Sequence, residues 1–114
     1  MTCVYHLDLC IAQYDDKRFR FNAINQSGSA LDVSTAQEIT FKILTRVNGT
    51  TLLTKTLTGG TIQIGINTQF YLDITSAESG GLGVGRKYCQ ARVFNSAGDV
   101  QTVGAGPFTV QGTK

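Results

Sequence analysis

The chain is 114 residues long, the size of one domain, and a domain of that length buries roughly two-thirds of the surface its unfolded chain exposes, so one core is expected over residues 1–114. Apolar residues make up 41% and charged residues 16%, with a formal net charge of +2, and the polar positions are filled mainly by Thr, Ser, Asn, Gln and Gly. Basic residues cluster only at Lys17-Arg18-Phe19-Arg20 and Arg86-Lys87, too short for a phosphate-tracking patch, so nucleic acid is not an expected partner. No apolar run is long enough to cross a bilayer, and the N-terminus lacks the order of a signal peptide, so no membrane partner is expected either.

From the N-terminus, residues 3–12 alternate with period two. Cys3, Tyr5, Leu7, Leu9 and Ile11 fall on one side and Val4, His6, Asp8 and Cys10 on the other, the pattern of a half-buried strand. A continuous strand would hold the α-carbons of Cys3 and Cys10 roughly 23 Å apart, beyond the roughly 4.4–6.8 Å that a disulfide needs. With three cysteines, one histidine and no CxxC, neither a zinc site nor a disulfide framework is expected. Asp15-Asp16-Lys17 reads as a turn. Residues 18–24 form a second strand with Phe19, Phe21 and Ala23 inward and Arg18, Arg20 and Asn22 outward. Residues 25–29 turn the chain, and 30–34 form a short extended edge segment. Asp15, Asp16 and Asp32 lack the spaced oxygen ligands of an EF-hand, and turn capping explains an aspartate in such loops.

The stretch from Glu38 to Leu57 is a β-hairpin. Ile39, Phe41 and Ile43 alternate with Thr40, Lys42 and Leu44, and Asn48-Gly49 supplies the two residues of a type I′ turn before a return strand from Thr51. A second hairpin is expected beside it. Ile62, Ile64 and Ile66 lie on one strand, Phe70, Leu72 and Ile74 point inward from the other, and Asn67-Thr68 makes the turn. Thr75 with Glu78 three residues on fits the capping box of a single helical turn. Gly80, Gly81, Gly83 and Gly85 surround Leu82 and Val84. A phosphate loop would need Lys followed by Ser or Thr after its last glycine, whereas Gly85-Arg86-Lys87-Tyr88 opens a strand, so a flexible connection with Leu82 tucked under the sheets is expected. The last strands are residues 87–94, with Cys89, Ala91 and Val93 on one face and Cys89 a buried reduced thiol, and residues 100–110. Pro107 is expected at an edge or a bulge because it cannot donate to a ladder. The expected core is Phe19, Phe21, Ile39, Phe41, Ile43, Ile64, Phe70, Leu72, Ile74, Ala91, Val93 and Phe108. The fold class is therefore all-β, an antiparallel β-sandwich of seven to nine strands with at most one short helical turn.

Several features recur in a familiar order. They are Leu31-Asp32-Val33-Ser34 before Ile39-Thr40-Phe41-Lys42-Ile43, Leu72-Asp73-Ile74-Thr75 running into a helical turn, Gly85 before the strand with Tyr88, and a Gly98 hairpin before Gly106-Pro107-Phe108-Thr109-Val110. From Phe19 onward the chain resembles the small immunoglobulin-like β-sandwich modules of tailed bacteriophages, including the N-terminal domain of upper baseplate proteins and short stand-alone virion proteins. The usual proline before the aromatic strand is missing, and residues 3–12 are the least family-like part. The resemblance implies a non-enzymatic structural role in the virion, as a capsid decoration, collar or tail-associated module present in multiple copies and docking onto other virion proteins. It carries over no catalytic, cofactor-binding or metal-binding residues. The expected localisation is the virion, after synthesis in the host cytoplasm.

Two other classes are weighed against it. A receptor- or glycan-binding adaptor of a baseplate or tail fibre rests on Tyr14, Tyr71 and Tyr88, which are expected on the surface. An enzyme is not expected, since no nucleophile stands beside a base in the pattern. Contact residues are expected on the N-terminal strand at Val4, His6 and Cys10, by pairing of an exposed edge with a neighbour. The competing possibility is that residues 1–12 simply form the first edge strand of the domain.

Overall fold

The computed structural model describes residues 7–24, 29–95 and 98–112. Eight strands and one helix follow in chain order: β1 (Leu9–Ala12), β2 (Lys17–Asn22), β3 (Glu38–Leu44), β4 (Thr51–Thr56), β5 (Ile62–Ile64), β6 (Gln69–Ile74), α1 (Ser76–Leu82), β7 (Gly85–Phe94) and β8 (Val100–Gln111). They make a five-stranded sheet, β1-β8-β7-β3-β4, and a three-stranded sheet, β2-β6-β5, whose apolar inner faces pack in a sandwich-like manner. The domain is all-β with one short helix.

Period-two alternation explains most of the core. Phe19 and Phe21 of β2, Ile39, Phe41 and Ile43 of β3, Phe70, Leu72 and Ile74 of β6, Cys89, Ala91 and Val93 of β7, and Phe108 of β8 are all buried. Ile64 is only half-buried, while Ile62 is fully buried and Ile66 is 61% exposed, because the short β5 ends before Ile66. Val33, outside any strand, is also fully buried, and its N–H donates to Asn67 O at 2.7 Å.

Long-range contacts the alternation does not encode account for the departures from expectation. β1 pairs parallel to β8, Leu9 opposite Phe108 through Ala12 opposite Gln111, so the five-stranded sheet is mixed rather than antiparallel. The regular strand begins at Leu9, and the expected residues Val4 and His6 lie outside the described ones. Leu7 still donates to Ala105 O at 2.8 Å. In that parallel register the next rung would take the N–H of residue 107, and Pro107 has none, which ends the ladder there. Pro107 thus sits in a strand flanked on both sides, with its missing donor on the β1 side rather than at an edge. The bulge of β8 lies elsewhere. Ala91 faces Gly104 and Arg92 faces Thr102, which leaves Val103 extra and lets the consecutive residues Val103 and Gly104 both be buried.

The β3–β4 connection is longer than a type I′ hairpin. Thr45 N–H donates to Thr50 O at 2.9 Å and Gly49 N–H to Arg46 O at 2.8 Å, so Asn48 (φ 60°) is the third residue of the turn and Gly49 the fourth. The β5–β6 hairpin belongs to the opposite sheet rather than standing beside β3–β4. The capping box is present, with Thr75 Oγ1 accepting from Glu78 N and Glu78 Oε1 from Thr75 N, but the helix runs on to Leu82 and takes in Gly80 and Gly81.

Leu7 also explains two glycines. A Cβ at Gly104 would lie 2.5 Å from Leu7 Cδ1, and a Cβ at Gly106 would overlap the Leu7 carbonyl. A side chain can move aside, but the Leu7 backbone cannot shift without straining its N–H bond to Ala105 O. Gly106→Ala is therefore expected to cost about 1–3 kcal/mol in urea unfolding and to raise amide exchange at Leu9 and Ile11. Gly81→Ala, where a Cβ inside α1 meets open space, should not lower stability and should leave exchange at Leu9 and Ile11 unchanged.

Candidate functional site

A sheet that ends in open strands offers its unpaired N–H and C=O groups to other chains, so the four sheet edges are the first places to look for function. The edge of β1 carries Cys10, which is exposed and free, as expected. Leu7 and Gln13 donate to β8, to Ala105 O and Gln111 O, so the intervening Cys10 and Ala12 present their carbonyls to the free side. Both are occupied: Cys10 O accepts from Lys17 Nζ at 2.9 Å and Ala12 O from Asp15 N at 3.1 Å. The edge of β2 is lined by Lys17, Arg18 and Arg20, and β5 is three residues long.

β4 differs. Leu57 N–H donates to Ile39 O at 2.9 Å, and the alternation of an antiparallel ladder then turns the backbone groups of Thr54 and Thr56 away from β3. Thr61 closes off Thr56, accepting from its N–H at 2.8 Å and donating to its carbonyl from N at 3.0 Å and Oγ1 at 3.2 Å. Thr54 has no such partner among the described residues. The outward side chains of β4 are uncharged, although exposed Lys42 of β3 stands opposite Thr54: Thr51 is exposed and Leu52 is 40% exposed, the extra residue where the register shifts between Ile43 and Leu44. Val47, at the hairpin tip, is 59% exposed.

The one charge on β4 points inward. Lys55 stands opposite Phe41, is 6% exposed, and places Nζ 2.7 Å from both carboxylate oxygens of Glu78. An inward lysine on an edge strand ordinarily discourages pairing, but here Glu78 neutralises it and fastens α1 beneath β4. Glu78 is also the capping-box acid. Burial pushes its carboxyl up, yet the Lys55 ammonium and the Thr75 N–H outweigh this and hold it below the usual range. Alternation along β4 could have shown that Lys55 points inward, but its partner lies 23 residues on and is visible only in the fold.

Between β4 and the outer face of the three-stranded sheet lies an open cleft of about 300 Å³ lined by Arg18, Lys55, Gln63, Tyr71, Asp73 and Thr75. Arg18 grips Asp73 with two bonds, Nε to Oδ1 at 2.7 Å and Nη2 to Oδ2 at 3.1 Å, and lies 4.4 Å from the Tyr71 ring centre. The Arg18 bonds hold the Asp73 carboxyl below its usual range. Of the tyrosines expected on the surface, Tyr14 is exposed, whereas Tyr71 and Tyr88 are half-buried.

The aspartates considered as ligands serve turns and caps. Asp32 Oδ1 accepts from Ser34 N and Oγ, and Asp16 Oδ1 accepts from Ser76 N at the start of α1. Among the described residues no three His, Cys, Asp or Glu side chains gather as a metal site, and no helix is long and apolar enough to cross a membrane. Cys89 is fully buried and its thiol is pushed up to about 12 by burial, which leaves it an unreactive core residue.

No protein-family model and no curated protein sequence matches the chain. Among solved structures it is similar to CopC from Methylosinus trichosporium OB3b, with 18% identity, a TM-score of 0.51, and 99% of this chain and 88% of that chain covered. It is also similar to the fibronectin(III)-like modules of Clostridium thermocellum CbhA, with 6% identity, a TM-score of 0.45, and coverage of 95% and 93%. At that identity the CopC likeness supports the two-sheet all-β fold alone.

Glu78→Gln keeps a capping-box side chain while removing the charge. It leaves the Lys55 ammonium buried without a counter-ion and is expected to cost about 1–3 kcal/mol at pH 7. Because Glu78 is lowered in the folded state, its contribution is present above the unfolded carboxyl pKa and is lost as pH falls through the folded one. Urea unfolding from pH 7 to pH 3 should therefore show wild type and Glu78→Gln converging at the acid end. A constant gap would mean that the ion pair does not supply the difference.

Proposed function

We propose that this chain is a non-enzymatic structural module of a tailed-phage virion, an immunoglobulin-like β-sandwich present in multiple copies that docks onto other virion proteins. The order of turns and apolar strands from Phe19 onward supports the phage reading. The observation that carries the docking role is the unpaired rung at Thr54, on an edge strand whose outward side chains are uncharged, beside exposed Leu52. A strand laid there by another virion protein gains main-chain hydrogen bonds from Thr54 and side-chain burial from Leu52. On β1, Cys10 remains available for side-chain contact, but the Cys10 and Ala12 carbonyls are already occupied, which favours β4 as the paired edge.

One observation favours the second reading, an adaptor for a host receptor or glycan. The cleft beside Tyr71 is polar, and its cations Arg18 and Lys55 are both paired with carboxylates, as suits a neutral polyhydroxyl ligand. Saturable binding of a neutral oligosaccharide that is lost in Tyr71→Ala would favour the adaptor over the docking module.

Thr54→Pro separates docking from folding. Its N–H points away from β3, so proline there removes no rung of the sheet but blocks an added strand. Immunoblots of purified particles are expected to contain the wild-type chain. The proline variant, with an unchanged circular-dichroism spectrum, should be depleted at least ten-fold. Absence of the wild-type chain from particles would overturn the virion role, and normal incorporation of the variant would overturn the β4 edge.

A further inference from the structure

Among the described residues no element covers the outward face of the five-stranded sheet, and the composition of that face is uneven. By register, Leu44, Tyr88 and Pro107 stand side by side across β3, β7 and β8, each half-buried. Next to that row lie Lys42, Gln90 and Ala105, then Thr40, Arg92 and Thr102, and on its other side Arg86 and Thr109. An apolar centre is thus ringed by three exposed cations, Lys42, Arg86 and Arg92, none of which has a carboxylate partner among the described residues. On the opposite sheet Asp73 neutralises Arg18, while exposed Arg20 lies 5.3 Å from the Tyr71 ring centre. With its amide oxygen turned toward Arg92, Gln90 accepts from Nε at 3.3 Å and Nη2 at 3.0 Å, which orders that guanidinium before any partner arrives. The acidic residues nearest by register are peripheral. Asp8 continues β1 at the margin, and Glu38 turns its carboxylate to Thr58, accepting from Thr58 N at 3.0 Å.

We infer that this face is a second docking surface, whose occupant is an acidic protein surface with an apolar centre. The inference deepens the docking role proposed above by naming a surface and the chemistry of its partner. Tyrosine and arginine are the residues that carry contact energy at protein interfaces, and here one tyrosine sits at the centre with two arginines and a lysine at the rim. Carboxylates opposite Lys42, Arg86 and Arg92 would find cations not already spent on an internal partner. A second copy of the chain would set the same cations against each other, so self-association through this face is disfavoured. Leu44 and Pro107 beside the tyrosine offer burial to an apolar protein side chain rather than a row of rings on which bases stack, which favours protein over nucleic acid.

Selection of random twelve-residue displayed peptides on the full chain tests this without the particle, so its result is independent of whether the protein belongs to a virion. Enriched peptides are expected to carry Asp or Glu around an aromatic or branched apolar residue. Their affinity should fall at least ten-fold for Tyr88→Ala and for Lys42→Glu, and stay within two-fold for Arg20→Glu on the opposite sheet. Lys42 is exposed, so its variant reports on the face even where Tyr88→Ala unfolds. Peptides without acidic enrichment, or ones insensitive to Lys42→Glu, would overturn the inference. So would a random single-stranded oligonucleotide that binds more tightly than the peptides and is lost in the same variant.

Discussion

Five phenylalanines hold the two sheets together. Phe21 of β2 lies 5.5 Å from Phe41 of β3, centre to centre, and Phe19 lies 5.6 Å from Phe108 of β8. Phe21 also stacks on Phe70 at 5.0 Å, and Phe41 meets Phe108 edge-on at 6.5 Å. Phe41, Phe70 and Phe108 are fully buried. Rings of this size in tilted and edge contact combine large apolar burial with a preferred geometry, so they set which face of each sheet turns inward. Once β2, β3, β6 and β8 are fixed in this way, period-two alternation decides the exposure of their other side chains, and β7, paired between β3 and β8, presents Arg86, Tyr88 and Arg92 on the same face as Lys42.

Five strands face three, so the larger sheet cannot be covered across its whole width. The fold meets this mismatch differently on its two margins. At β1 it covers the groove above Gly104 and Gly106 with Leu7, and occupies the outward carbonyls with Lys17 and the Asp15 turn. At β4 it turns a lysine inward and neutralises it from α1, while Thr61 clips one end of the strand. That leaves the Thr54 rung in the middle of β4 with both its N–H and its carbonyl unpaired among the described residues. Exposed backbone on a low-charge edge is a liability for a free domain and an asset for one that is meant to be joined, which is why the functional reading turns on this strand.

The positions of strands and most of the core were legible because alternation is a local property. Phe19 and Phe21, Ile39 to Ile43, and Phe70 to Ile74 read correctly, as did the Thr75–Glu78 cap and the buried Cys89. What could not be read depended on distant parts of the chain. Parallel pairing of β1 with β8 joins segments about a hundred residues apart in sequence, and no local pattern distinguishes it from antiparallel pairing. Ile62 and Ile64 look alike in sequence, and only the short β5 makes one fully buried and the other half-buried. Asn48-Gly49 resembles a two-residue turn, but the chain bends one residue earlier. Lys55 is polar by type and buried by position, a conflict resolved only when Glu78 arrives from α1. Of the contact residues named on the N-terminal strand, Cys10 is placed on an exposed edge, while Val4 and His6 lie outside the described residues.

Amide hydrogen exchange of the isolated domain tests the account most directly, because it reads the pairing of each backbone N–H without reference to any partner. The account predicts that Thr54 exchanges almost as fast as an unprotected amide, while Leu53 and Lys55 on either side, bonded to β3, are protected together with Phe41 and Phe108 in the core. Protection of Thr54 equal to that of its neighbours would contradict it, since the middle of β4 would then already be paired and could not serve as the docking edge.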